Sequence, residues 1–95
     1  MQQFQILAWD GTDAEAPARR QAVRDAHLER ARGAKAAGQI IVGGPILNAE
    51  GGMIGSTMMV AMEDRAALDR WIAEDPYTRG NVWQRFDIWP IRVAV

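Results

Sequence analysis

Residues 39–62 decide the fold: QIIVGGPIL (39–47), NAEGG (48–52) and MIGSTMMVAM (53–62). Two apolar runs suited to a pleated surface flank five turn-forming residues, so the segment predicts a β-hairpin. Immediately upstream lies a long helical stretch reaching Ala37, with Gly38 as its stop signal. Two starts are open for it: Thr12 and Glu15 have capping-box spacing, while Pro17 suits the first helical position. Downstream, residues 64–74 predict a second helix, with Leu68, Trp71 and Ile72 on one face. The outermost segments, QFQILAW (3–9) and VWQRFDIWPIRV (82–93), read as strands. In strand 3–9, Phe4, Ile6 and Ala8 point one way and Leu7 and Trp9 the other. The order β-α-β-β-α-β predicts an α+β protein, a ferredoxin-like two-layer sandwich with an antiparallel sheet. Residues 1–95 read as a single domain.

Two features bear on assembly. Pro45 and Pro90 fall in the second and fourth strands, the sheet edges of this topology, where a missing N–H is tolerated. The strands are also apolar on both faces. In 53–62, Ile54, Met58, Val60 and Met62 lie on one side, with Met53, Met59 and Ala61 on the other. Two helices cover one face of a sheet, which leaves Leu7, Trp9, Met59 and Trp89 as a larger apolar patch than monomers usually carry. A second copy packed sheet to sheet would bury it; the alternative is a twisted sheet covered by its own loops.

Composition narrows the chemistry. Twelve acidic and eleven basic residues give a net charge of −1, which argues against nucleic acid or a membrane surface as partner. No cysteine is present, so disulfides, thiolate zinc sites and thiol catalysis are excluded. One histidine without thiolates makes a zinc site improbable on ligand chemistry, and neither metal nor cofactor is expected. MQQFQILAWDG has no basic leader and no long apolar run, so a cytoplasmic protein is expected.

Four places could carry chemistry. His27, in RDAHLERA, shares its side of the first helix with Val23, Ala26, Ala31 and Ala34, and a lone histidine at such a boundary is more often structural. Asp75, in AEDPYTRGN (73–81), precedes a proline. That pushes its backbone toward extended geometry, ends the helix at Glu74, and projects the carboxylate from a stiff support. Asp-Pro is also ordinary turn chemistry. Paired, the carboxylate would fix one imidazole nitrogen and free the other as base or acid. Forty-eight positions separate the two residues, and only the fold decides whether they meet. Arg24 stands one turn before His27 and could meet an anionic substrate. Six of the eleven bases lie in residues 19–35, where a solvated face is the plainer reading. Neither GGP (43–45) nor GGMIGS (51–56) precedes a helix as a phosphate loop would. Ser56 reads as a hydroxyl tolerated in a strand.

RDAHL (24–28), GQIIVGGP (38–45), GSTMMV (55–60), DPY (75–77) and IWP (88–90) together resemble the YciI-like (YCII-related) family, in order and spacing across nearly the whole chain. The resemblance implies a dimeric α+β barrel, similar in fold to muconolactone isomerase, whose protomers pair through their sheets. It also implies a histidine/aspartate centre, carried onto His27 and Asp75, with Arg24, Gly44, Pro45, Ser56 and Tyr77 at pocket positions. TRGNVW (78–83) departs from the small apolar AGL stretch of the family pattern. The resemblance supplies a site and no substrate; with His27 as general base or acid oriented by Asp75, the leading expectation is a small cofactor-independent enzyme performing isomerisation or elimination on a small cyclic or aromatic acid. Two alternatives stand beside it: a non-catalytic dimer that binds a small ligand or a protein, and a haem protein using the histidine as axial ligand.

Overall fold

A computed structural model describes residues 1–95. The hairpin is made by β2 (Ile40–Leu47) and β3 (Met53–Met62). Its turn is held by Asn48, whose side-chain oxygen accepts from the backbone N–H groups of Glu50 (3.0 Å) and Gly52 (2.8 Å). Gly51 adopts φ 85° there, a left-handed conformation that glycine takes without steric cost.

β1 (Gln2–Asp10) lies between β3 and β4 (Trp83–Ile91), so the antiparallel sheet runs β2-β3-β1-β4. Pro45 and Pro90 therefore occupy the two edge strands. Alternation in β1 holds as read. Phe4, Ile6 and Ala8 are buried, and with Met58, Val60 and Met62 of β3 they form the floor of the core. α1 (Ala16–Ala36) and α2 (Arg65–Ala73) cover that face and add Ala34, Leu68 and Ile72. Burying a leucine fully, as at Leu68, contributes about 1.5–3 kcal/mol.

The opposite face is open. A row of cross-strand neighbours, Val42, Met59, Gln5 and Trp89, runs from one edge to the other, and Val42 and Trp89 are half exposed. Polar groups on this face pair among themselves. Gln5 Nε2 donates to Thr57 Oγ1 (2.8 Å) and Trp9 Nε1 donates to Asp87 Oδ2 (2.9 Å).

Several local expectations are corrected. The capping box does not form. α1 begins at Ala16 with Pro17 second, and its N-cap residue Glu15 makes no side-chain cap. Its stop is as expected, with Gly38 at φ 80°. Ala26 is exposed rather than on the buried side of His27. Met53 and Ile54 are both exposed, because the register shifts between Ile46 and Leu47 and the hairpin end leaves the core. A one-turn helix, α3 (Pro76–Arg79), follows the Asp-Pro break where only a turn was expected. No helix is long and apolar enough to cross a membrane.

Candidate functional site

Arg20, Arg24 and His27 recur at helical spacing along one side of α1. His27 points at the junction of α2 and α3, where the backbone of Asp75 is extended (φ −68°, ψ 138°) as its proline requires. Asp75 is the N-cap of α3: its Oδ1 accepts the Tyr77 N–H at 2.9 Å. The same oxygen lies 2.8 Å from His27 Nδ1. Oδ2 accepts from Arg30 Nη1 at 3.0 Å. The turn residue and the fixed acid are thus one arrangement, for the cap that nucleates α3 also aims the carboxylate. Asp75 is 1% exposed, and three converging donors compensate its burial.

A carboxylate only accepts, so a neutral His27 ring carries its proton on Nδ1 and leaves the Nε2 lone pair free. Nε2 makes no hydrogen bond within the chain. The ring is held from other sides as well. Tyr77 stacks on it, centroids 3.8 Å apart and planes 13° apart, and Trp83 meets it edge-on at 5.4 Å. Arg30 is tied to the Trp71 carbonyl (2.8 Å) and lies over the Trp71 ring.

A second polar cluster adjoins the first. Arg20, although charged, is only 6% exposed. Its Nη1 donates to both carboxylate oxygens of Asp10 at 3.0 Å, and its Nη2 donates to Ser56 Oγ at 3.1 Å. Ser56 Oγ also accepts from Trp83 Nε1 at 3.1 Å. Burial pushes the Asp10 carboxyl above its ordinary range, with Arg20 and Arg19 pulling the other way. Burial likewise raises the Tyr77 phenol, against the nearby charges of Arg20 and Arg24.

Both clusters face a cavity of about 430 Å³ between α1 and the β2–β3 hairpin. Arg20, Arg24, Arg32 and Lys35 line it, and no carboxylate does. Arg20 is already paired with Asp10, so the charges of Arg24, Arg32 and Lys35 set the field there and favour an anionic occupant. His27, Ser56, Tyr77, Gly44 and Pro45 also line the cavity, and Asp75 stands behind His27. Close backbone approach belongs to Gly43 rather than Gly44. A Cβ at Gly43 would meet Met58 Cγ at 2.9 Å, whereas at Gly44 it would meet nothing within 4 Å. No group of three or more His, Cys, Asp or Glu side chains could hold a metal ion.

Arg20, Arg30 and Trp83 are not marked as site residues by the sequence reading. Arg20 lies seven residues before His27, a spacing that signals one helix face. Arg30 and Trp83 are legible only once α3 and β4 are in place.

The family model described as the YCII-related domain matches residues 3–92. An uncharacterized protein of Haemophilus influenzae is 30% identical over 80 residues, which span 78% of this chain and 82% of that protein. Among solved structures, 5-chloro-2-hydroxyhydroquinone dehydrochlorinase from Burkholderia phenoliruptrix, in complex with 2,5-dihydroxybenzoquinone, superposes with a TM-score of 0.84. It is 24% identical, with 97% of this chain and 95% of that one covered. A dimeric ferredoxin-like protein from Jannaschia superposes at 0.55 with 14% identity, covering 98% and 100% of the two chains. At these identities the two structures show a shared fold.

Proposed function

The chain belongs to the YCII-related family, and from that premise we propose that it is a small cofactor-independent enzyme working by general acid–base chemistry. His27 Nε2 removes a proton from carbon or oxygen of a small cyclic or aromatic acid and returns it elsewhere, in an isomerisation or an elimination. Asp75 holds the ring in the tautomer that leaves Nε2 basic. The observation that carries this reading is the 2.8 Å contact between His27 Nδ1 and Asp75 Oδ1, beside a cavity lined by cations without carboxylates. Arg24 draws in the anion, since it makes no ion pair within the chain and stands one turn from His27. The neighbouring dehydrochlorinase offers a probe of suitable chemistry, 2,5-dihydroxybenzoquinone, an acidic flat ring.

The test is deuterium uptake at the ring carbons of that quinone in D₂O, followed by proton NMR. Positioned acid–base catalysis accelerates it about 10²–10⁴-fold, and His27→Ala abolishes the gain. Binding without acceleration, unchanged in His27→Ala, would replace this reading with that of a ligand-binding module.

The working unit is a homodimer joined through the open sheet face. Leu7, Met59, Val42 and Trp89 supply apolar area there, and the polar groups between them are already paired. The Jannaschia protein, described as dimeric, shares the fold. Sedimentation equilibrium at low micromolar concentration should give twice the 10.5 kDa of one chain. A single-chain mass would refute the dimer.

A further inference from the structure

Ser56 is the most constrained hydroxyl in the protein. A serine oxygen has two lone pairs and one hydrogen. Arg20 Nη2 and Trp83 Nε1 each donate to it at 3.1 Å, so both lone pairs are engaged. The hydrogen must point elsewhere, and Ser56 lines the cavity. Its O–H has no acceptor within the chain and is free to donate to an occupant of that space. A cation and an indole N–H acting on the oxygen polarise the bond and strengthen the donor.

Tyr77 supplies a second donor. Its ring is almost wholly buried, yet its hydroxyl makes no hydrogen bond within the chain. The sealed side-chain atoms left without a partner are Arg20 Nε and Thr78 Oγ1. The Tyr77 hydroxyl is not among them, so it is not sealed, and the residue lines the cavity. Because burial raises this phenol, it keeps its proton and donates rather than ionises.

We propose that Ser56 and Tyr77 form an oxyanion site in the same cavity as His27 Nε2, and that they hold a ligand oxygen which gains negative charge when the base takes a proton. The ligand class is a ring bearing a carbonyl oxygen conjugated to the atom that loses the proton, so that the charged form is an enolate or phenolate oxygen. His27 accepts that proton, the freed electron pair moves onto the ligand oxygen, and the two hydroxyls donate to it while keeping their own protons. When His27 returns the proton, the charge leaves the oxygen. Donors positioned for the developing charge lower the barrier because they do not have to reorganise. The proposal rests on the acid–base reading for its chemistry, but its test needs no turnover.

The probe pair is 4-nitrophenolate and 4-nitrotoluene, alike in shape and different in the oxygen. Both are titrated into the full-length protein and followed by calorimetry. Hydrogen bonds to a charged acceptor imply that Tyr77→Phe weakens the phenolate about tenfold or more, with 4-nitrotoluene unchanged. Ser56→Ala should do the same. Should that variant fail to fold because Arg20 and Trp83 lose their acceptor, Tyr77→Phe decides alone, since it deletes one oxygen and keeps the ring on His27. Equal phenolate affinity in wild type and Tyr77→Phe would overturn the proposal, as would a wild type that binds 4-nitrotoluene but not the phenolate. A normal phenolate result beside a His27→Ala variant that still exchanges deuterium would overturn the base and leave the oxyanion site standing.

Discussion

Asp75→Asn puts the proposed centre under direct strain. The carboxylate satisfies three donors with two equivalent oxygens: His27 Nδ1 and the Tyr77 N–H on Oδ1, and Arg30 Nη1 on Oδ2. A carboxamide has one oxygen. With the oxygen toward Tyr77 and His27, its NH₂ faces the Arg30 guanidinium, donor against donor. With the oxygen toward Arg30, the NH₂ faces His27, which must move its proton to Nε2 and ceases to be a base on the cavity side. A lost hydrogen bond to a charged group costs about 1.5–3 kcal/mol. Arg30 keeps a quarter of its side chain in solvent and can partly rehydrate, so the lower half of that range applies, about 2 kcal/mol. For a domain of this size that lowers Tm by about 8–16 °C. Calorimetry measures the first quantity. Long-range proton–nitrogen NMR of the single imidazole in alkaline buffer reports which ring nitrogen carries the proton. Wild type should show Nδ1–H. The variant should show either a large loss of stability with the tautomer kept, or the Nε2–H tautomer. An unchanged Tm together with an unchanged tautomer would refute the argument that Asp75 holds His27.

Further outcomes follow from other contacts. Arg19 Nη2 pairs with Asp13 at 2.6 Å, and this hydrogen bond holds the Asp13 carboxyl down at about 2. A depressed acid contributes stability above its unfolded value near 3.8 and loses it as pH falls through about 2. The difference in urea midpoint between wild type and Asp13→Asn should therefore be present at pH 5 and vanish toward pH 2; a difference that persists there would refute the pairing. Gly43→Ala should destabilise by about 1–3 kcal/mol through overpacking against Met58, whereas Gly44→Ala should leave the denaturation midpoint nearly unchanged. Equal losses at both would contradict the packing. Pro76→Ala should cost only about 0.4–1 kcal/mol through the unfolded chain while weakening quinone deuteration more than that loss explains. Parallel small losses would tell against a positioning role for the proline.

The elements were legible because their causes are local. Alternation in β1, the turn built on Asn48 and Gly51 in the hairpin and the stop at Gly38 are settled by a residue and its near neighbours. The βαββαβ order then limits the topology, down to the edge strands that carry Pro45 and Pro90. Short-range reasoning failed where two local options were nearly equal. Glu15 rather than Thr12 stands at the cap of α1, and the four residues of α3 are too few to form a helix unaided. They are held by the Asp75 cap and by Tyr77 packing against His27. The meeting of His27 with Asp75 across forty-eight positions depends on α1 crossing the sheet so that one turn faces the end of α2. No local pattern encodes that crossing. The same holds for Ser56. In sequence it is a polar residue in an apolar strand, and only the approach of Arg20 from α1 and Trp83 from β4 fills its lone pairs. Propensity and periodicity act over a few residues and leave their mark in the sequence. The hydrogen-bond partners of a buried group come from chain segments far apart, and tertiary packing alone selects them.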